Sequence, residues 1–234
     1  QTNGWKILSA DYSQVELRVM AHISKDEALI DAFQNGDDIH TRTASHVFNV
    51  LIEDVLPEMR RTAKVVNFGI MYGAGPFRMS QELGIPRQEA VAIIESYFEQ
   101  YSGIRNYIDT TLEKARNEKL VETMLGRKRP IWDADSDNGL RRQAAERMAI
   151  NMPIQGSAAE MIKLAMIDIS KAIQENNMEA KLVLQIHDEL LFEYPESEEK
   201  VLIDLVVEKM ENAMDLSVPI VVDYGIGQSW FEAH

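Results

Sequence analysis

Cysteine is absent from the 234 residues of this chain. The chain can therefore form neither a disulfide nor a zinc site with thiolate ligands, and an intracellular setting is favoured over a secreted one. Long apolar runs are missing as well, and residues 220–222 are typical of their length. Such runs are far too short to span a bilayer, and the N-terminal residues lack the segments of a signal peptide. We therefore expect a soluble protein with no membrane partner.

Positive charge is also scarce, since 24 Lys and Arg face 38 Asp and Glu and give a net charge of −14. This balance argues against a chain that coats nucleic acid indiscriminately, because neutralisation of phosphates is the main source of such affinity. The basic residues are unevenly placed, however, and six of them fall in residues 126–147. Any nucleic-acid binding would therefore depend on local patches.

The hydrophobic content of 45% is ordinary for a globular protein of one sizeable or two small domains. Apolar periodicity predicts a strand at residues 5–10 and then a long helical block. It next predicts a strand and an extended segment joined by a turn near 120–132, and then helices at 140–150 and 155–177 with a break at 151–153. The last predicted elements are a hairpin at 181–193 with 187–189 at its tip, a helix at 197–214 and a strand at 218–224. This order indicates an α+β fold, with a small antiparallel sheet, helices on one face and a helical insertion.

Two aspartates follow apolar stretches that we predict to be strands. Asp11 comes after ILSA, and Asp188 comes after VLQIH. Two carboxylates that meet at one sheet edge provide the oxygen ligands that divalent hard cations need, and magnesium is the natural choice. Either acid alone could be a solvated turn residue. However, when an apolar strand brings an acid to a sheet edge, the charged group loses solvation. This costs free energy unless the acid has a partner of opposite charge or a hydrogen-bond donor.

Residues 60–72, RRTAKVVNFGIMY, place Arg60, Lys64, Phe68 and Tyr72 at every fourth position. On a helix these four form one stripe about 18 Å long, cationic at its N-terminal end and aromatic at the other. A helix N-terminus already favours anions, so the stripe could hold a ligand with phosphates and a flat ring. The alternative is an amphipathic surface helix with solvated cations and a core phenylalanine.

Arg147, Asn151 and Gln155 repeat the four-residue spacing around Pro153. Their amides could bond base edges or sugar oxygens, although helix capping and a kink would also account for them. His40 and His187 could likewise be structural histidines.

Three segments, in this order and spacing, resemble the polymerase motifs of family A DNA polymerases, and of the bacterial members above all. They are DYSQVELR (residues 11–18), RRTAKVVNFGIMYG (60–73) and QIHDE (185–189). The resemblance continues through AAERMAINMPIQGSAAE (144–160) to the C-terminal GQSWFEAH, so it covers essentially the whole chain.

The resemblance implies a right-hand polymerase fold of the α+β class. The palm would comprise residues 1–22 and 140–234, and a mainly helical fingers subdomain, residues 23–139, would be inserted between them. Family members carry a thumb and often further nuclease-like domains upstream. We therefore expect the thumb to be absent from this chain, which would be a fragment whose partners include the upstream thumb and exonuclease-like domains of the parent polymerase.

The reaction implied by the resemblance is template-directed addition of dNTPs to a primer 3′-hydroxyl, in DNA replication and repair. Two magnesium ions would be held by Asp11, Asp188 and the backbone carbonyl of Tyr12, with Glu189 as an auxiliary catalytic acid. One ion would activate the primer hydroxyl and the other would steady the pyrophosphate. Lys64 matches the position that donates a proton to the leaving pyrophosphate.

Further positions match residues that hold the substrates in that family. Glu16 matches the side chain that blocks a ribose 2′-hydroxyl, and Gly69 and Gly73 would leave clearance beside the bases. The nucleotide-binding positions are Gln14, Glu16, His40, Arg60, Lys64, Phe68 and Tyr72. The positions that would contact DNA are Arg147, Asn151, Gln155 and His187.

The implied partners are thus primer-template DNA and a dNTP, in a bacterial cytoplasm and in association with the nucleoid. Two other functions stay open at this point, a non-catalytic nucleotide- or DNA-binding module of the same fold and a relative of the single-subunit RNA polymerases. The first requires altered motif acids, and these are intact. Glu16 argues against the second, because a bulky acid there disfavours ribonucleotides.

Overall fold

The computed structural model describes residues 4–234. The helices and strands of these residues are β1 (Trp5–Tyr12), α1 (Val15–Ser24), α2 (Glu27–Gln34), α3 (Ile39–Phe48), α4 (Pro57–Met71), α5 (Pro76–Leu83), α6 (Arg87–Gln100), α7 (Ser102–Glu118), β2 (Leu120–Glu122), β3 (Lys128–Pro130), α8 (Gly139–Glu175), β4 (Lys181–Ile186), β5 (Glu189–Pro195), α9 (Glu199–Glu211), β6 (Val222–Gly227) and α10 (Trp230–Ala233). This mixture of helices and small antiparallel sheets agrees with the predicted α+β class. No helix in the described part combines the length and apolarity that a membrane span requires.

The described residues divide into two compact units. One consists of the residues up to Arg18 together with Ala158–His234, and the other consists of Val19–Ser157. The first unit contains the larger sheet. The second contains most of the helices and the β2–β3 hairpin.

The larger sheet has four antiparallel strands in the order β4-β5-β1-β6. Successive side chains of β1 point to opposite faces, and Leu8, Ala10 and Tyr12, which share one face, are all buried. Leu8 lies opposite Phe192 of β5, which is also buried. The Tyr12 hydroxyl donates to the backbone carbonyl of Met210 in α9 at 2.8 Å. The apolar positions of β1 therefore face the core and α9, which leaves Asp11 on the opposite face of the sheet.

The hairpin predicted at residues 181–193 is confirmed as β4 and β5, but its turn is shorter than predicted. His187 and Asp188 form the turn, and Glu189 is already a strand residue paired with both Ile186 and Asp11. His187 has a φ of 55°, in the left-handed region that two-residue hairpin turns require. The prediction that Glu189 lies at the tip was therefore wrong.

The last strand begins later than predicted, at Val222 rather than at residue 218. The carbonyl of Pro219 accepts a hydrogen bond from the Arg18 guanidinium, and the carbonyl of Val221 accepts one from the Ser13 amide at 2.9 Å. Proline also has no N–H to offer a neighbouring strand. Pairing with β1 therefore starts only where Val222 lies opposite Tyr12.

The predicted helix break at residues 151–153 was wrong, because α8 continues through Pro153. A proline inside a helix removes one backbone hydrogen bond and normally disfavours helix by about 3 kcal/mol. Here the surrounding residues Ala149 and Ile154 are buried, so packing holds the helix together. The hydroxyl of Ser157 also donates to the Pro153 carbonyl at 2.6 Å.

In the second unit, α3 and α4 are joined by buried polar contacts. Thr43 of α3 donates to Oδ1 of Asn67 in α4 at 3.2 Å, and its hydroxyl lies 3.1 Å from that of Tyr101. All three residues are buried, so leaving any of these groups unpaired would be costly. The contacts fix the start of α3, which contains His40, against the middle of α4.

Candidate active site

Carboxylates from three strands meet on one face of the larger sheet. Asp11 of β1 lies directly opposite Glu189 of β5 on one side and opposite Asp223 of β6 on the other. Directly opposed residues share a face, so these three side chains project from the same surface. The turn between β4 and β5 is drawn to this row, since the Tyr12 amide donates to the Asp188 carbonyl at 3.3 Å. The structure thus brings Asp11 and Asp188 together.

Asp11 has an unusual environment for a carboxylate. Its Oδ1 is buried and has no hydrogen-bond partner among residues 4–234. Burial, and then the nearby charges of Asp188 and Glu189, raise the pKa of the Asp11 carboxyl to about 6. Like charges and lost solvation disfavour ionisation, and a bound cation would reverse both effects.

The carboxylate oxygens beside Asp11 are ligands suited to hard divalent cations, which keep open coordination positions for other ligands. No group of three or more His, Cys, Asp or Glu side chains in the described residues is arranged to hold a metal ion. Asp11 and Asp188 supply oxygen ligands, and magnesium typically uses one or two carboxylates plus substrate phosphates. Tyr12 could add only a main-chain oxygen, because its side chain is buried with the hydroxyl bonded to Met210.

Glu189 differs from its neighbours because its carboxylate already has donors. The Ser9 hydroxyl and the Trp230 indole Nε1 both donate to Glu189 Oε1, the latter at 2.9 Å. Nδ1 of His234 lies 3.5 Å from the same oxygen, and Glu189 is buried. The Glu189 side chain is therefore held in place beside Asp11. Sequence reasoning did not identify the roles of Ser9, Asp223 and Trp230, although the alternation of β1 could have placed Ser9 on the Asp11 face.

Three further candidate residues of the unit with the larger sheet, Gln14, Glu16 and His187, lie close to the ends of β1 and β4. Gln14 follows β1 with a φ of 53°, and its Oε1 is buried without a partner in the described part of the chain. Glu16 is in the first turn of α1 and is partly buried. His187 is exposed in the turn that precedes Asp188. Unpaired amide and imidazole groups at such positions are available to an external polar ligand.

The second unit contains the cationic and aromatic stripe on α4. Pro57 occupies the first turn of the helix, as predicted, and Tyr72 lies just past its end. Arg60 and Lys64 are exposed, whereas Phe68 is half-buried. The rings of Phe68 and Tyr72 are stacked with centroids 6.0 Å apart. The stripe is therefore a surface feature with a packed aromatic end.

His40 contributes a neutral ring to this aromatic end. It is buried, its ring centroid lies 5.9 Å from that of Phe68, and its Nδ1 is 3.0 Å from Nδ2 of Asn67. Burial lowers the pKa of the His40 imidazole. Because Asn67 Oδ1 already accepts from Thr43, the Asn67 amide nitrogen faces the ring and donates to Nδ1. Nε2 then carries the proton and can donate to a ligand. Asn67 was not identified from the sequence.

Arg60 is not a free cation, because Asp38 pairs with its guanidinium. Lys64, one turn further along α4, forms no ion pair with any residue in 4–234. The spacing of the stripe could not distinguish these two cations, since the partner of Arg60 lies 22 positions away in the chain.

Arg147, Asn151 and Gln155 lie on α8 with the predicted spacing. Asn151 Oδ1 is buried without a partner in the described residues, and Gln155 is exposed. Arg147 packs beside Gly73, where an added Cβ would come within 3.2 Å of Arg147 Cγ, and both residues line a cavity of ≈ 600 Å³. The absence of a side chain at Gly73 therefore leaves room for Arg147 at this cavity.

The missing side chain of Gly69 has a packing consequence inside its own unit. Gly69 is buried, and a Cβ at this position would lie 2.8 Å from Cε of Met79 in α5. The absence of a side chain at Gly69 lets Met79 of α5 pack closely against α4.

Comparison with known proteins gives one consistent result. The family model described as DNA polymerase family A matches residues 1–232. DNA polymerase I of Bacillus subtilis (strain 168) is 50% identical over 229 residues, which are 98% of this chain and 26% of that protein. The thermostable DNA polymerase I of Thermus thermophilus is 50% identical over 230 residues, 98% of this chain and 27% of that protein. The chain thus spans 26–27% of the length of these relatives.

A solved structure has the same fold. The POL domain of Pol1 from M. smegmatis, in complex with DNA primer-template and dNTP, matches with a TM-score of 0.96 and 44% identity. The match covers 99% of this chain and 41% of that chain.

Proposed function

The chain belongs to DNA polymerase family A, and from this membership we propose that it is the catalytic part of a template-directed DNA polymerase. The reaction is transfer of a nucleotide from a dNTP to the 3′-hydroxyl of a primer paired with a template, in replication and repair. The observation that carries the proposal is the Asp11 carboxylate, with a buried oxygen that lacks a donor within residues 4–234. A carboxylate in that state is suited to bind a cation.

The unit with the larger sheet is proposed as the palm, and the helical unit as the fingers. In this proposal residues 1–22 and 140–234 form the palm and residues 23–139 form the fingers. The two compact units support a palm that is built from both ends of the chain, although they divide within α1 and within α8 rather than at those boundaries.

Asp11, Asp188 and the Tyr12 carbonyl are the proposed ligands of two magnesium ions. The chemistry supplied by these ions, when bound, is activation of the primer hydroxyl and stabilisation of the leaving pyrophosphate. Glu189 is held by Ser9 and Trp230, which keep its carboxyl group in position beside Asp11. Lys64, an exposed cation without an ion pair in the described chain, is the proposed proton donor to the pyrophosphate.

The incoming nucleotide is proposed to lie along the α4 stripe. Arg60 and Lys64 bind its phosphates, His40 donates to them through Nε2, and Phe68 packs against the sugar and base. Tyr72 then lies near the templating base. Gln14 and Glu16 contact the sugar, and Glu16 excludes a ribose 2′-hydroxyl. The ring contacts of Phe68 with His40 and Tyr72 support this arrangement.

The primer-template duplex is proposed to contact Arg147, Asn151, Gln155 and His187. Asn151 supports this role because its buried Oδ1 has no donor from residues 4–234 and can accept from a donor such as the guanine N2 amino group. Amide and guanidinium groups suit the acceptors of the minor groove and the sugar. Exposed Lys128 and Arg129 on β3 are available to the phosphate backbone.

A chimera tests the proposed function. This chain would replace the matching 229 residues of Bacillus subtilis DNA polymerase I, and primer extension would be measured with and without Mg²⁺. We expect Mg²⁺-dependent incorporation of dNTPs that Asp188→Ala abolishes. The control Asp168→Ala changes an exposed acid of the same unit and should leave the rate unchanged.

The alternative functions give different results in the same assay. A non-catalytic binding module would bind DNA or nucleotide but extend no primer. A relative of the RNA polymerases would incorporate ribonucleotides at least as well as dNTPs. Either result would contradict the proposal.

A further inference from the structure

Arg60, which the proposed function assigns to the nucleotide phosphates, is already held at two points. Its Nε donates to Asp38 Oδ1 at 3.1 Å, and its Nη2 donates to Asp38 Oδ2 at 2.6 Å. A guanidinium fork matches two carboxylate oxygens in the same way that it matches two phosphate oxygens. Asp38 therefore occupies the donors that a phosphate would use.

Asp38 is fixed in place by the local structure. It is the N-cap of α3, and its Oδ1 accepts from the Thr41 amide at 2.6 Å. Partial burial alone would raise the pKa of the Asp38 carboxyl, but the hydrogen bonds from Arg60 and Thr41 outweigh it and lower the pKa to about 2. The carboxylate is thus a charged capping group, and its removal from the cap would destabilise α3.

Arg60 is the member of the pair that is free to move. Its side chain is 46% exposed and extends from the first turns of α4, so it can rotate without disturbing the core. Lys64 provides a contrast, because it has no ion pair within the described residues. The two cations of the stripe are therefore unequal, since only Lys64 is ready to meet an anion.

We propose that Asp38 is an internal competitor for Arg60, so that a nucleoside triphosphate engages Arg60 only when its phosphates displace the Asp38 carboxylate. This inference rests on the proposed function of α4 as the nucleotide-binding helix. The apparent affinity of a triphosphate is reduced by the fraction of molecules in which Arg60 is paired with Asp38. A ligand whose phosphates do not reach Arg60 leaves the pair intact, and Lys64 is then the only cation of the stripe that binds it.

The test measures binding of tripolyphosphate and of dTTP to the chain by calorimetry at low salt. Asp38→Asn removes the charge that holds Arg60 but keeps a capping oxygen for Thr41, since Asn and Asp cap helices equally well. We expect Asp38→Asn to bind both probes about two- to fivefold more tightly, as loss of one exposed ion pair predicts. Arg60→Ala should weaken binding, and the double variant should bind like Arg60→Ala alone.

A matched control is available at the neighbouring position. Asp37 pairs with Arg42 at 2.7 Å rather than with Arg60, so Asp37→Asn removes the same charge without releasing Arg60. It should change the affinity much less than Asp38→Asn. A similar gain in both variants would overturn the proposal, because the effect would then come from net charge.

Two further outcomes separate this inference from the proposed function. If Arg60→Ala weakens binding but Asp38→Asn leaves it unchanged or weaker, Arg60 is a phosphate ligand that Asp38 positions, and the competitor role is wrong. If Arg60→Ala does not weaken binding, the phosphate role of Arg60 is itself wrong, and the competitor role fails with it.

Discussion

Trp230 ties the C-terminal helix α10 to the acidic face of the sheet, since its indole donates to Glu189 Oε1 at 2.9 Å. Two glycines of β6 make this close approach possible. A Cβ on Gly227 would lie 2.5 Å from Cβ of Glu232, and one on Gly225 would overlap the backbone of Ala233. The position of the Glu189 carboxylate beside Asp11 thus depends on the last residues of the chain.

Replacing Trp230 with phenylalanine should destabilise the sheet unit. A smaller aromatic ring remains, but the buried Glu189 carboxylate loses a donor, and we expect a loss of about 1–2 kcal/mol in the free energy of unfolding. Urea unfolding followed by circular dichroism gives the value. The control Phe231→Leu changes a neighbour that is 92% exposed and should stay within about 0.5 kcal/mol. Equal losses in both variants would show that the indole donor contributes nothing specific.

Asp11→Asn should stabilise the metal-free protein in a pH-dependent way. The folded-state pKa of Asp11, about 6, lies above its ordinary value of 3.8. Between these two pH values the folded chain binds more protons than the unfolded chain, so the contribution of Asp11 to stability falls as the pH rises through this window. Asparagine does not titrate, so its advantage should be larger at about pH 8 than at about pH 4.

Melting temperatures in EDTA check this prediction at both pH values. Asp215→Asn, at an exposed acid of the same unit, is the control for the general effect of removing a negative charge. An advantage of Asp11→Asn that does not change with pH would contradict the proposed cause.

A Mn²⁺ probe should bind at Asp11 and Asp188. Asp188→Asn removes a proposed ligand and should weaken binding at least about tenfold, since even residues that only orient ligands typically cost that much. Free Mn²⁺ measured by electron paramagnetic resonance gives the affinity. Asp168→Asn reports the effect of net charge alone. If it weakens binding as much as Asp188→Asn, the probe is held by the general charge of −14 and not by a defined site.

Gly73→Ala and Gly126→Ala separate a backbone effect from a packing effect. Both glycines have positive φ values, +70° and +80°, so alanine costs each position about 1 kcal/mol in backbone energy. Only Gly73 has close neighbours, with Arg147 Cγ and Ile150 Cδ1 both 3.2 Å from an added Cβ. We therefore expect the larger loss of unfolding free energy for Gly73→Ala. Equal losses of unfolding free energy would mean that Arg147 moves aside for the added methyl group without an energetic cost.

Local patterns in the sequence were sufficient for most elements and for the chemistry of their residues. The apolar run at residues 5–10 predicted the strand that brings Asp11 to the sheet, and the four-residue spacing on α4 predicted the helix and the stripe that includes Arg60. Periodicity is a property of neighbouring residues, so it can be detected without the fold. It failed at Pro153, where burial of the surrounding residues outweighs the local preference for a break.

By itself, the sequence determined that Asp11, Asp188 and the cations of α4 are the candidate reactive groups. Only the tertiary structure decided their state. It pairs Glu189 with Ser9 and Trp230, Arg60 with Asp38, and His40 with Asn67. It leaves Oδ1 of Asp11 without a partner within residues 4–234. These pairings depend on strand register and helix packing between distant parts of the chain, and such long-range geometry leaves no local pattern.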